Sequence, residues 1–146
     1  IFCFSFSGLK SQDANASRDL LNRTETSIYK AQKEMIAGNS TKKIQELSEA
    51  VNFQVLAIQF YNNNDFKSAI CFSVKSREYT NSILTSMNLK NASNYNLNSL
   101  EIDLAKSVNY NSQDELYKTK LLTKYIDESI LFDAQKLREH YKISIN

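Results

Sequence analysis

Few side chains in this 146-residue chain are of the types that do chemistry. There is one histidine, His140, and of the two cysteines Cys71 is the one outside the apolar first dozen residues. Nucleophilic catalysis needs a thiol or hydroxyl within hydrogen-bond reach of a base that a third group orients. Cys71 lies in Ala69-Ile70-Cys71-Phe72, a setting that holds an inert thiol, and His140 is its one conceivable base. No spacing orders Ser, His and Asp into a triad. A di-iron bundle requires inward glutamates and two Glu-x-x-His pairs, but the residue three before His140 is Leu137. The two glycines, Gly8 and Gly38, stand too far apart to build either Gly-rich phosphate loop. Glu46 and Glu49 share a helical face with Lys42 and Lys43 one turn earlier, the pattern of a solvated charged face. The expectation is no metal, no cofactor and no catalytic residue.

Arg77 is the exception that asks for an explanation. Helical spacing puts it on an apolar stripe, where a guanidinium must be paired, must reach solvent, or must face a ligand. Gln54, Tyr61 and Tyr79 are the polar and aromatic residues expected to share one edge of a groove with it. These four are the candidate partner- or ligand-binding residues. His140, close to the end of the last expected helix, fits a simple interaction with the helix dipole.

The elements that position these residues are helical. A chain with no Pro and two Gly lacks the residues on which tight turns and hairpins depend, which argues against an all-β fold. Its length suits one domain that buries about 68–70% of its unfolded surface. The net charge of +2 comes from 18 basic and 16 acidic residues with the signs interspersed, so no basic footprint for nucleic acid is expected. The 16 Asn fit a coding bias as well as any function. Sequons at Asn15, Asn22, Asn39 and Asn91 matter only in an exported protein.

Residues 1–12, Ile-Phe-Cys-Phe-Ser-Phe-Ser-Gly-Leu-Lys-Ser-Gln, read as the tail of a secretory signal peptide, cleaved near Ser11 or Gln12. That run is too short to span a bilayer, and no later stretch is apolar enough to do so. Residues 13–146 then form one domain, exported to a periplasmic or extracellular space; if residues 1–12 are retained, the protein is cytoplasmic.

A first helix is expected over Asp13 to Ala37, with Ser17, Leu21, Thr24, Ile28, Ala31 and Met35 along one face. Gly38-Asn39 should end it in a left-handed cap. A second helix from about Ser40 to Tyr61 carries Ile44, Leu47, Val51, Val55 and Ile58 on one stripe and Ala50, Phe53, Ala57 and Phe60 on another. Asn62-Asn63-Asn64 breaks it, and Asn64 or Asp65 caps a third helix from Phe66 to Met87. Asn88 to Asn98 is a connection, and Ser99 to Val108 a short helix. Ser112-x-x-Glu115 has the form of a capping box opening a long final helix to Tyr141, faced by Leu122, Ile126, Ile130, Ala134, Leu137 and Tyr141. The expected fold is an all-α antiparallel up-down bundle of four long helices plus one short one.

Phe53, Leu56, Ala57 and Phe60, followed by Asn64-Asp65-Phe66 and then Ala69, Ser73 and Ser76, resemble a single tetratricopeptide unit. Asn64 stands where that family has Gly, Ser76 where it has Ala, and no Pro closes the unit. The same hairpin is similar to the core of HEPN bundles, with Arg77-Glu78 on its second helix; the Arg-spacer-His signature of that group's ribonucleases is absent. The resemblance covers residues 53–84 and implies a helical hairpin with a partner-binding surface. The resulting expectation is a non-enzymatic domain acting through contacts with another protein. The alternative is a small-ligand-binding protein or enzyme using a polar pocket around Arg77.

Overall fold

The residues that helical spacing places on one face of the first helix are the ones that leave water. Ser17, Leu21, Thr24, Ile28, Ala31 and Met35 are each 0% exposed. The computed structural model describes residues 2–117 and 126–141, with side chains over 13–117 and 126–140. Within these residues the chain is all-α. The elements are α1 (Phe2–Ala37), α2 (Ile44–Asn62), α3 (Phe66–Ser86), α4 (Ser99–Ser107), α5 (Glu128–Leu131) and α6 (Ala134–Tyr141). Single 3-10 turns lie at Ala92–Tyr95 and Glu115–Tyr117, and no strand forms among the described residues. No described helix is long and apolar enough to cross a membrane.

Cross-helix bonds fix the directions. Arg18 reaches Tyr61 and Gln54 reaches Leu21, so α1 and α2 run antiparallel. Ser76 donates to the Ala50 carbonyl and Ser73 to Gln54, so α2 and α3 are antiparallel as well. Ser73 meets Thr24 and Thr80 meets Ser27, which sets α3 parallel to α1. The three helices enclose the main core, with Phe53, Phe60 and Phe72 stacked at 5.2 to 6.0 Å between α2 and α3. Small Ser and Thr side chains between α1 and α3 allow close approach, and their hydroxyls bond one another, so burying them leaves little unsatisfied.

Helices stop in this chain because Asn takes the role that Gly has elsewhere. Among the described residues the non-glycine residues with positive φ are Asn39 (47°), Asn64 (61°), Asn88 (52°) and Asn109 (56°). Each lies two residues beyond the last residue of α1, α2, α3 and α4 respectively. At three of these ends both bonds of a Schellman motif are present: Ser40 N–H to Met35 and Asn39 N–H to Ile36, Asp65 to Phe60 and Asn64 to Tyr61, Tyr110 to Ala105 and Asn109 to Lys106. Asn tolerates the left-handed region because its short polar side chain bonds locally. Asp65 then caps α3 by accepting from Ser68 N–H at 3.1 Å.

Two expectations are corrected. The second helix begins at Ile44 with Lys43 at its N-cap and no side-chain cap bond, not at Ser40. Among the described residues the last segment is not one continuous helix: it holds the 3-10 turn at Glu115–Tyr117 and the short helices α5 and α6. Asn111 and Asp114 side chains accept from Gln113 and Leu116 N–H, which leaves only a 3-10 turn where Ser112 to Glu115 was expected to open a helix. Asp127 accepts from Ser129 N–H, and Asp133 from Gln135 and Lys136 N–H, so each acid starts a new short helix in place of continuing an old one. Leu137 and Ile126 are buried, whereas Ala134 is exposed. Leu122, the side chain of Tyr141 and the side chains of residues 1–12 lie outside the described residues. The C-terminal segment is tied down by Gln32 donating to the Leu131 carbonyl and by Ser48 accepting from Ile126 N–H.

Glu46 pairs with Lys43 at 3.4 Å, as a solvated face would have it. Glu49 departs from that pattern: Gln45 donates to one carboxylate oxygen, and the other is buried with no partner. Burial pushes the Glu49 carboxyl above its usual range, with Gln45 lowering and Glu46 raising it. The folded state therefore holds this proton more tightly than the unfolded one. Between the ordinary glutamate value and the raised one, Glu49's contribution to stability falls as pH rises. Chemical denaturation of Glu49→Gln and the parent across that window should show the parent losing stability relative to the variant. At Asn64, Ala should cost about 1 kcal/mol for the left-handed backbone and Gly nothing, read from thermal melts.

Candidate functional site

Arg77 is 1% exposed, and its charge is met by a residue from α4. Its Nη2 donates to Glu101 Oε2 at 2.9 Å, and its Nη1 to the Tyr95 carbonyl at 3.2 Å. Glu101 Oε1 accepts from Arg23 Nε of α1 at 3.1 Å and from Asn98 N–H at 3.0 Å. Asn98 in turn accepts from Glu101 N–H at 2.8 Å, completing a capping box at the start of α4. One carboxylate, 5% exposed, thus caps its own helix and binds guanidinium groups from two others. Burial lowers the Arg77 pKa from its ordinary range, Glu101 raises it, and the Arg23 charge lowers it. A guanidinium stays protonated under such shifts, so the site is an Arg–Glu–Arg triad with one net positive charge.

The structure does not bring the four candidate residues to one surface. Gln54 is 0% exposed and structural: its Nε2 donates to the Leu21 carbonyl at 2.9 Å and its Oε1 accepts from Ser73 at 3.1 Å. The Tyr61 hydroxyl accepts from Arg18 Nε at 2.9 Å, and its ring meets Phe66 edge-on. Tyr79, two residues after Arg77 and so on another side of α3, stacks on Phe53 at 5.7 Å under the Lys75 ammonium. Burial raises its hydroxyl pKa. Burial also pushes the Cys71 thiol up, which keeps it a poor nucleophile.

Beside the triad lie two concavities. The larger, of about 670 Å³, runs between α1 and α4 and is lined by Leu20, Leu100 and Leu104 with Asp19, Arg23, Glu101 and Asp103. Leu100 is 77% exposed there. The smaller, of about 170 Å³, is lined by Arg23, Thr26, Arg77, Asn94 and Tyr95. No group of His, Cys, Asp or Glu among the described residues is placed to hold a metal ion.

Sequence reading singled out Arg77 but missed Glu101, Arg23 and the α1–α4 groove. Asn98-x-x-Glu101 carries the capping-box form, and that signal was available. It says only that the carboxylate faces backbone amides, not that two arginines converge on it. No protein-family model matches the chain, and no curated protein or solved structure matches it.

Removing one partner of a buried ion pair strands the other charge and costs about 3–5 kcal/mol. Glu101→Gln should lose that much in urea unfolding, because Arg77 is 1% exposed. Arg23→Gln should lose at most about 1 kcal/mol, since its side chain is 47% exposed.

Proposed function

We propose that this is a non-enzymatic helical domain that acts by binding another protein, and that the groove between α1 and α4 receives an amphipathic helix of that partner. The observation that carries the reading is the groove's combination of apolar walls and surplus negative charge. Leu100 and Leu104 offer apolar area over the buried Leu20, and an exposed leucine in a concavity is the kind of surface that marks an interaction site. Of the lining charges, Arg23 is matched by Glu101, which leaves Asp19 and Asp103 exposed and in no ion pair among the described residues. A partner helix with an apolar stripe and a flanking Lys or Arg complements both features.

The tetratricopeptide-like reading of residues 53–84 agrees with this class of function. Asn64, where that family has Gly, takes the left-handed backbone that a Gly would take. The export reading rests on the composition of residues 1–12 and adds that the partner is met outside the cytoplasm.

The test uses a fluorescein-labelled helical peptide with leucines at i, i+3 and i+7 flanked by lysines, and an otherwise identical peptide flanked by glutamates. Fluorescence anisotropy should show saturable binding of the lysine peptide and at least tenfold weaker binding of the glutamate peptide. Leu100→Gln should weaken the lysine peptide about tenfold, or about 1.4 kcal/mol. Its stability should change by no more than about 0.5 kcal/mol, because the side chain is exposed. Equal binding of both peptides, or an unaffected variant, contradicts the reading.

A further inference from the structure

The smaller concavity has a different character from the groove. It lies where α1, α3 and the 3-10 turn at Ala92–Tyr95 meet, and it is lined by two arginines, a threonine, an asparagine and a tyrosine. Glu101, the carboxylate that both arginines bond, has each oxygen engaged already: Oε2 by Arg77, Oε1 by Arg23 and by Asn98 N–H. Glu101 and Arg23 are the charged groups whose fields act on Arg77. Two positive charges against one negative leave the site with an excess of one. Arg77 Nε is buried and has no hydrogen-bond partner, although the other two guanidinium nitrogens of that side chain are bonded. An unpartnered donor on a charged group is among the costlier defects a folded protein carries.

We infer that this cavity is a binding site for a small oxyanion of carboxylate or phosphate size, held by Arg77 and Arg23 with Asn94 at its mouth. Guanidinium groups match the geometry of both oxyanions, and a single negative charge neutralises the excess. The volume of about 170 Å³ admits such a group and is too small for a drug-sized ligand, which needs about 300 Å³ or more. The Asn94 side chain is exposed at the rim, so the site is reached without unfolding. Arg23 also lines the α1–α4 groove, so an anion here sits against the residue that forms the groove's floor charge. The site does not depend on the groove's being a docking surface, and Leu100, which tests the groove, does not line it.

The experiment is a titration of the full chain with sodium phosphate, with sodium acetate and with sodium chloride at matched ionic strength. Arginine Nε–H resonances are followed by NMR, and the melting temperature in parallel. The expected result is a saturable shift of the Arg77 Nε–H signal with phosphate, acetate or both, accompanied by a rise in melting temperature that chloride does not give. Which of the two anions saturates at lower concentration assigns the site to phosphates or to carboxylates. Arg23→Gln, at an exposed position, should weaken the effect at least tenfold. Asn94→Asp, which adds a negative charge at the rim without touching either arginine, should do the same. A linear, chloride-like response of the parent, or a titration unchanged in both variants, overturns the inference.

Discussion

The buried carboxylate of Glu101 is the constraint on which the arrangement of α4 depends. Through its two oxygens it joins α1 by Arg23, α3 by Arg77 and the start of its own helix by Asn98. Helix α4 has nine residues, too few for a stable helix in water, and the apolar contacts beneath it are modest: Leu20, Ile70, Val74 and Ala105, with Leu97, Leu104 and Val108 at the edge. An ion pair with one side 1% exposed does not by itself stabilise a fold better than well-packed apolar residues would. What it supplies is position, because this placement of α4 brings a carboxylate to a guanidinium that is 1% exposed. The groove follows from that placement, and Arg23 lines both the groove and the small cavity.

The rest of the bundle is held by different means. Helices α1, α2 and α3 enclose a continuous apolar core, and the polar residues buried among them are short and mutually bonded. Gln54, Ser73 and Thr24 form one such chain across all three helices. The division is physical: the three-helix body relies on apolar burial and direct packing, while α4 is held at its edge by charge. The functional features gather at that edge, where packing is thin and polar groups meet solvent.

Much of this was legible in the sequence. The burial of Ser17, Leu21, Thr24, Ile28, Ala31 and Met35 in α1 followed from spacing alone, because a 36-residue helix repeats its period long enough to be unambiguous. Arg77 was visible as an anomaly for the same reason: a cation on an apolar stripe conflicts with the pattern. Its partner was not visible, since Glu101 lies 24 positions away on a short helix and the sequence does not show which charges converge. Gln54 was misjudged in the opposite sense, as a polar residue whose backbone-directed bonds are satisfied wholly inside the core. The last helix failed because apolar spacing over Ile126, Ile130 and Leu137 suits one continuous helix, whereas Asp127 and Asp133 turn their side chains onto nearby amides and restart the chain. The asparagines carried the turns, a role hidden by their number: among the described residues four of them take the left-handed backbone, and composition does not tell which.

Glu101 holds α4 against a three-helix body whose own packing does not depend on it. Native-state hydrogen exchange of the parent and Glu101→Gln, read amide by amide, measures this most directly. The prediction is that protection in α4 and in the Ala92–Tyr95 turn collapses in the variant, while α2 and α3 keep protection up to the variant's reduced global stability. An α4 as protected as before relative to α2 and α3, or a loss spread evenly over all helices, would contradict it.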